Sequence, residues 1–240
     1  MLNKIKSVLK NKNVLITGAT GGIGFEISKN FNALGSNIFL IGRDDAKLAE
    51  ISDSLPEAKV YRCDLSSLND IELVSKNVEA DSGGIDILIN CAGIFFVKPL
   101  EDVLPEDYER SFNINVRAPI FLSKWHSRAM KQGKWGRIFN VGSSSCYSGC
   151  QNTSLYCSTK HALLGFSRSI SKELNEYGIR ICNISPSSTK TQMGKIPLAT
   201  YQDYETFIDP SEIADILIVL CALDGAMEVR EILLNRVNVQ

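Results

Sequence analysis

An apolar run, Leu15-Ile16-Thr17, stops at a glycine cluster, Gly18-Ala19-Thr20-Gly21-Gly22-Ile23-Gly24, and a helical pattern restarts at once. Few local sequences constrain a chain more. A strand has to leave through a tight turn, which Gly18 permits, and the next helix has to pack closely behind it, which Gly24 permits. Gly22 lets backbone approach a pyrophosphate, and the N–H groups and dipole of the helix start then face phosphate oxygens. Glycine turns also serve purely structural roles, so the turn alone does not decide between a nucleotide site and a structural bend.

Strand-like apolar runs alternate with amphipathic stretches almost throughout. Strands are predicted over 13–17, 37–41, 59–62, 86–89, 137–141, 179–184 and 229–235. Helices are predicted over 22–34, 44–55, 67–80, 105–131, 154–177 and 211–223. This alternation gives an α/β fold, a doubly wound, Rossmann-type parallel sheet of seven strands with helices on both faces, a three-layer sandwich. Right-handed crossovers leave few topologies. No Pro/Gly/Ser-rich linker or internal repeat divides the 240 residues, so one domain over 1–240 is expected, long enough for a sizeable core. In such sheets ligands sit beyond the carboxyl ends of the strands. Gly18, Arg43, Asp64, Asn90, Ser143 and Pro186 all fall there.

The chain is 44% hydrophobic and 22% charged with a net charge of −1, so nothing steers it to nucleic acid or an anionic membrane. Lys4, Lys6, Lys10 and Lys12 read as a solvated lead-in to the first strand, a helical turn at most; their apolar run is too short for a signal peptide or a spanning helix. Seven cysteines (Cys63, Cys91, Cys146, Cys150, Cys157, Cys182, Cys221) are scattered with no Cys-x-x-Cys pair, and only His126 and His161 could assist a metal. No metal site is expected, and the thiols fit a reducing cytoplasm. Cys146, Cys150 and Cys157 cluster near the candidate site and are candidates for oxidation, with small core residues the plainer reading.

Tyr156-Cys157-Ser158-Thr159-Lys160 puts Tyr and Lys on one helix face. A phenol ordinarily titrates near about 10, too high for proton transfer at neutral pH. A nearby ammonium stabilises the phenolate, and a positively charged nicotinamide would add to it. Alone, such a pair is also a common surface arrangement. Ser143 follows an apolar strand, thirteen residues before Tyr156.

With these residues in place, the chain resembles the short-chain dehydrogenase/reductases over nearly its full length. The matching residues are Thr17-Gly18-x-x-x-Gly22-Ile23-Gly24, Asp64-Leu65, Asn90-Cys91-Ala92-Gly93, Asn115, Ser143, Tyr156-x-x-x-Lys160, and Pro186 with Thr191. Each piece is modest; their order and spacing together are specific. The resemblance implies that Tyr156 is the general acid in carbonyl reduction and the base in alcohol oxidation. Ser143 would hydrogen-bond the substrate oxygen. Lys160 would hold the ribose hydroxyls and lower the Tyr156 pKa. Asn115 would anchor a water leading from Lys160 to solvent; Asn113 is a competing candidate, and Asn115-Val116-x-Ala118-Pro119 fits the family pattern better.

For the cofactor, the resemblance implies that Gly18, Thr20, Gly21, Gly22, Ile23 and Gly24 surround the phosphates. Asp64 would contact adenine and Leu65 would donate a backbone N–H. Asn90, Ala92 and Gly93 would support the ribose and hold adjacent strands together. Pro186 to Thr191, with Thr189, would cover the nicotinamide. Ser187 stands where the family usually has Gly, and Thr189 where it usually has Val. Position 42 carries no acidic residue to hold a free 2′-hydroxyl, whereas Arg43 offers a planar fork to a 2′-phosphate. NADP(H) is therefore preferred, with NAD(H) the alternative. Against that preference, the glycine motif has Gly21 where relatives often carry a second basic residue, and Asp44 sits beside Arg43.

Residues 191–210 correspond to the family's substrate lid. The lid is short, which argues against a bulky steroid-like pocket; among Met193, Ile196, Pro197, Leu198, Tyr201, Tyr204 and Phe207, the aromatics either line an apolar site or pack the lid on the core, and Lys195 or Lys190 could meet an acidic substrate group. The end of the chain lacks the family's common Asp-Gly-Gly, which counts against a dedicated fatty-acid-synthesis reductase. The long helices over 105–131 and 154–177 are expected to pair with a second copy, giving a homodimer or homotetramer. The expected activity is an NADPH-dependent ketone or aldehyde reductase on a small molecule. A 3-oxoacyl-thioester reductase is the alternative enzyme, and an NADP(H)-binding regulator without turnover the alternative of another kind.

Overall fold

Strands β1 (Asn13–Thr17), β2 (Asn37–Gly42), β3 (Lys59–Arg62), β4 (Ile87–Asn90), β5 (Gly136–Val141), β6 (Ile179–Pro186) and β7 (Glu231–Leu234) form one sheet in the order β3-β2-β1-β4-β5-β6-β7. Every pairing is parallel. These come from a computed structural model in which residues 2–196 and 203–237 are described; the lid residues Pro197, Leu198 and Tyr201 lie outside them. The chain crosses from one half of the sheet to the other after β3, so the strand order reverses between β1 and β4, and the carboxyl ends there open the crevice for a ligand.

Each central strand is buried along its length, successive residues facing opposite layers, because both faces are covered. Val14 and Ile16 join the layer that holds helices α1 (Leu2–Leu9), α2 (Gly22–Ala33) and α8 (Pro210–Cys221). Leu15, Leu88, Ile138 and Ile181 face the layer of α4 (Leu68–Ser82), α6 (Ala118–Gly133) and α7 (Ser154–Leu174). Helix starts are fixed locally. Asp44 accepts from the Lys47 N–H at 3.2 Å to open α3 (Asp45–Ser54), Ser67 accepts from Asp70 N at 3.2 Å, and Asp209 forms a reciprocal box with Glu212.

Two sequence expectations need correction. The basic lead-in is a full helix, α1, whose Ile5 and Leu9 are buried against α8. Its lysines surround an apolar pair spaced four apart, a one-face stripe that the charge count masks. The helix expected over 105–131 is three pieces: α5 (Pro105–Phe112), a π turn (Asn113–Arg117) and α6. Pro119 has no N–H to give the carbonyl of Asn115 four residues back, and Ala118 N bonds instead to Asn113 O, five back. Among the described residues, no helix is long and apolar enough to cross a membrane.

Candidate active site

Gly18 leaves β1 at φ +69°, and a Cβ there would stand 2.7 Å from Ala92 Cα. The turn is thus pressed against the loop after β4, and Thr17 Oγ1 ties the two by accepting from the N–H groups of Cys91 and Ala92, each at 3.1 Å. A Cβ on Gly24 would meet Gly18 O at 2.4 Å, so this glycine is needed to seat α2 on the turn itself rather than on the sheet. Gly21 precedes α2 in extended conformation and gives no side-chain cap. The first N–H groups of α2 are therefore left for phosphate oxygens.

This turn forms one wall of a cleft of about 980 Å³ across the carboxyl ends of the strands. Thr20, Gly21, Gly22 and Ile23 line it, as do Arg43, Asp64 and Leu65 at the ends of β2 and β3. Ala92 and Gly93 line its floor, and Ser143, Tyr156, Lys160, Pro186, Thr189 and Thr191 complete it. Two expected residues lie beneath the cleft instead. Asn90 is buried and donates to Asn140 Oδ1 at 2.8 Å, linking β4 to β5. Asn115 is also buried: its side chain accepts from Ile94 N at 2.8 Å and donates to Ile94 O at 3.0 Å and Thr159 Oγ1 at 3.1 Å. It pins the π turn to the β4 loop and to α7. A Cβ on Gly93 would stand 3.4 Å from Asn115 Oδ1 and 3.7 Å from Lys160 Nζ, so Gly93 is where these two side chains converge.

Tyr156 and Lys160 occupy the first turns of α7. The Tyr156 ring meets Phe95 edge-on, with centroids 4.7 Å apart. Lys160 Nζ lies 5.6 Å from the Tyr156 ring centroid and donates to Val141 O at 2.8 Å. Burial pushes the Tyr156 phenol up to about 12, and its hydrogen bond with Ser143 pulls the other way. Burial also lowers the Lys160 pKa. The depression expected from Lys160 does not act in this arrangement: its ammonium is turned to the Val141 carbonyl, and burial disfavours the phenolate. Ser143 Oγ accepts from Ser145 N at 3.2 Å, which engages a lone pair and leaves the hydroxyl proton to be donated to Tyr156.

Cys146, a small core or redox candidate from its sequence position, is buried and holds the site together. Its Sγ accepts from Ser143 N at 3.4 Å and Ser185 Oγ at 3.5 Å and donates to Lys160 O at 3.3 Å. Ser187, at a usual glycine position, accepts from Arg236 N at 3.1 Å and so anchors the end of the chain. Thr189 donates to Ser187 O at 3.0 Å. Lys47, in the first turn of α3, lines the cleft beside Arg43. Sequence reasoning missed it, although a cation four residues after Arg43 on a helix start was a readable signal. Asp44, expected to neutralise Arg43, is committed to the α3 cap.

The short chain dehydrogenase family profile matches residues 12–200. The chain is 33% identical over 199 residues to galactitol 2-dehydrogenase from Agrobacterium fabrum, covering 82% of this chain and 78% of that one. It is 31% identical over 217 residues to L-xylulose reductase from Bos taurus, covering 84% and 87%. A 3-oxoacyl-[acyl-carrier-protein] reductase from Rickettsia felis is 31% identical over 206 residues, covering 80% and 84%. A solved metagenomic short-chain oxidoreductase in complex with NADP superposes with a TM-score of 0.83 at 26% identity, covering 96% of this chain and 99% of that one. The fold, the cleft and these likenesses agree: the chain belongs to the short-chain dehydrogenase family, oxidoreductases that interconvert alcohols and carbonyls.

Proposed function

We propose that the protein is an NADPH-dependent carbonyl reductase acting on a small molecule. The observation that carries the reading is the convergence of Ser143, Tyr156 and Lys160 on the floor of a cleft whose other end is an uncapped helix start beside Arg43 and Lys47. The residues present fit a dinucleotide. The α2 N–H groups would hold the pyrophosphate, Lys160 the ribose, and the two cations a 2′-phosphate. A Cβ on Gly42 would lie 2.9 Å from both Thr20 Cγ2 and Leu48 Cδ2, so the position that would carry an acidic residue for a free 2′-hydroxyl is filled by its neighbours. This supports NADP(H) over NAD(H).

When bound, the nicotinamide supplies or accepts the hydride. The chain's own residues do the rest. Ser143 donates to the substrate oxygen, stabilising the charge that builds there. Tyr156, held protonated by burial at neutral pH, gives its phenolic proton to the same oxygen. Lys160 would then stabilise the phenolate left behind. Asn115 acts at one remove, clamping the Ile94 loop against α7 so that Lys160 keeps its place. Oxidation runs these steps backwards and needs the phenolate first, so it gains with rising pH.

The lid over 191–210 would close the substrate end. The exposed apolar side chains Leu104, just before α5, Tyr108 on α5 and Phe121 on α6 support pairing with a second copy as a homodimer or homotetramer. The free thiols of all seven cysteines suit a reducing cytoplasm. NADPH oxidation followed by absorbance, across ketones, aldehydes, keto acids, keto sugars and 3-oxoacyl thioesters, tests the reading with Tyr156→Phe alongside. Turnover that vanishes in the variant supports it. Preference for thioesters would move it to the acyl-thioester reductase, and tight NADPH binding with no turnover to a regulator.

A further inference from the structure

The substrate end of the cleft has an uneven charge. Phe95, Met193, Ile196, Tyr204 and Phe207 line the cleft, and Phe95 packs edge-on against Tyr156. One charged side chain beside Lys160 enters this end: Lys195, at the end of a short 3-10 turn (Met193–Lys195), with Nζ 5.5 Å from the centroid of the Tyr204 ring. Among the described residues the cleft has a single carboxylate, Asp64, and that stands at the adenine end, where Arg43 acts on it.

No lid carboxylate is left to neutralise Lys195. Glu205 pairs with Lys190 at 3.3 Å. Asp203 accepts from Glu205 N at 3.0 Å to open its own turn. Asp209 accepts from Ser211 N and Oγ to cap α8. Residues 197–202 contain no Asp or Glu. Of the two lysines whose sequence positions suit an acidic substrate, one is therefore engaged and the other is free among the described residues. The pyrophosphate end of the lid is marked separately, because a Cβ on Gly22 would meet Thr191 Cγ2 at 2.9 Å. Lys195 lies a turn beyond it, beside Tyr204.

We propose, resting on the oxidoreductase reading above, that Lys195 recognises an anionic group on the substrate, so that the natural substrate is a small carbonyl or alcohol bearing a carboxylate or a phosphate monoester. Lys195 is exposed at the mouth of this end, so an anionic group on the substrate gains a charge-assisted hydrogen bond there, whereas a neutral polyol leaves the ammonium in water.

Reduction by NADPH is measured on matched probes: acetoacetate and dihydroxyacetone phosphate as the anionic arms, butanone and dihydroxyacetone as their neutral counterparts. The expected result is a preference of about 5- to 10-fold in kcat/KM for one anionic arm over its neutral counterpart, and which arm wins names the group. Lys195→Met removes that preference through KM while leaving kcat and the neutral probes unchanged, and Lys195→Arg keeps it. The proposal is overturned if neutral and anionic probes are used alike, if the variant weakens both equally, or if the change falls on the KM for NADPH, which would give Lys195 to the cofactor. Calorimetric titration of the same anions into the NADP-loaded protein separates the two levels of inference. Binding lost in Lys195→Met without turnover on any probe would sink the reductase reading and leave the lid reading standing. Equal anion binding by wild type and variant would sink the lid reading whatever the turnover.

Discussion

Replacing Arg43 tests how this cleft tells two nicotinamide cofactors apart. Arg43 is exposed at the end of β2, with no ion-pair partner among the described residues, because Asp44 is occupied at the α3 cap. A charge-assisted hydrogen bond to a phosphate is worth ~1.5–3 kcal/mol, and the exposure of Arg43 places it at the low end. Arg43→Ala is then expected to lower the NADPH-to-NADH ratio of kcat/KM by about 10- to 30-fold, at 1.4 kcal/mol per tenfold. Lys47 offers a point charge without the planar fork, nearer ~0.5–1 kcal/mol, so Lys47→Ala costs about 2- to 5-fold. The double variant multiplies the two if they act independently. Both effects shrink as ionic strength rises from about 0.05 M to 0.5 M, since exposed pairs are screened. The assay is initial-rate kinetics with each cofactor at saturating substrate. An unchanged ratio in Arg43→Ala would refute the assignment, and so would equal losses with NADPH and NADH.

Tyr156→Phe is expected to reduce kcat by about 10²- to 10⁴-fold while fluorescence titration shows NADPH bound as before. Cys146→Ala, which frees Ser143 N and Lys160 O from their shared thiol, should lower kcat about tenfold and shift its pH profile, with Cys146→Ser recovering part of both. His126 is buried with Nε2 unpartnered, and burial pushes its pKa down to about 4. The unfolded chain takes up that proton first, so the contribution is complete above about pH 6.5 and is lost as pH falls towards 4, making urea stability ~2 kcal/mol lower at pH 5 than at pH 7.5; His126→Leu should flatten that slope. Leu9→Ala, at a fully buried position of α1, should cost ~2–4 kcal/mol in the same assay, whereas a truly solvated lead-in would lose almost nothing.

The strands were legible because a parallel sheet covered on both faces needs short apolar runs, and β1 and β3 match the predicted spans residue for residue. The glycine turn was legible because φ +69° at Gly18 and the crowding at Gly24 leave little choice of residue. What composition and periodicity could not give were features decided by tertiary contact. The Ile5–Leu9 stripe needs α8 to make it a helix worth keeping, and charge alone read it as solvated. The π turn is set by one missing N–H at Pro119, inside a segment whose apolar periodicity is otherwise helical. The lone pairs of Cys146 carry no signal until the loop after β5 is folded back on the cleft. The Tyr156–Lys160 spacing correctly placed both side chains on one face, yet their electrostatics depended on burial, which spacing cannot report.

A polar row across the sheet explains how residues so far apart in sequence hold one geometry. Thr17, Asn90, Asn140, Asn183 and Glu231 are register partners on five neighbouring strands, β1, β4, β5, β6 and β7. Two residues back, Leu15, Leu88, Ile138 and Ile181 are core on the same face, so the sheet turns from apolar to polar one step below the cleft. Each member of the row binds something that carries the site. Thr17 holds the loop of Cys91 and Ala92, and Asn90 bonds Asn140. Asn140 donates to Ser167 on α7 at 2.8 Å, and Asn183 donates to Ser185 at 2.7 Å, whose hydroxyl in turn reaches Cys146. Glu231 takes Arg168 of α7 and the Tyr147 hydroxyl. A buried amide cannot slide without leaving its partners unpaired, at about 1–3 kcal/mol each. The row therefore fixes the depth of α7 against the sheet, and with it the height of Tyr156 and Lys160 above the cleft floor. Apolar packing alone would tolerate small shifts of that helix; a catalytic proton transfer over hydrogen-bond distance would not.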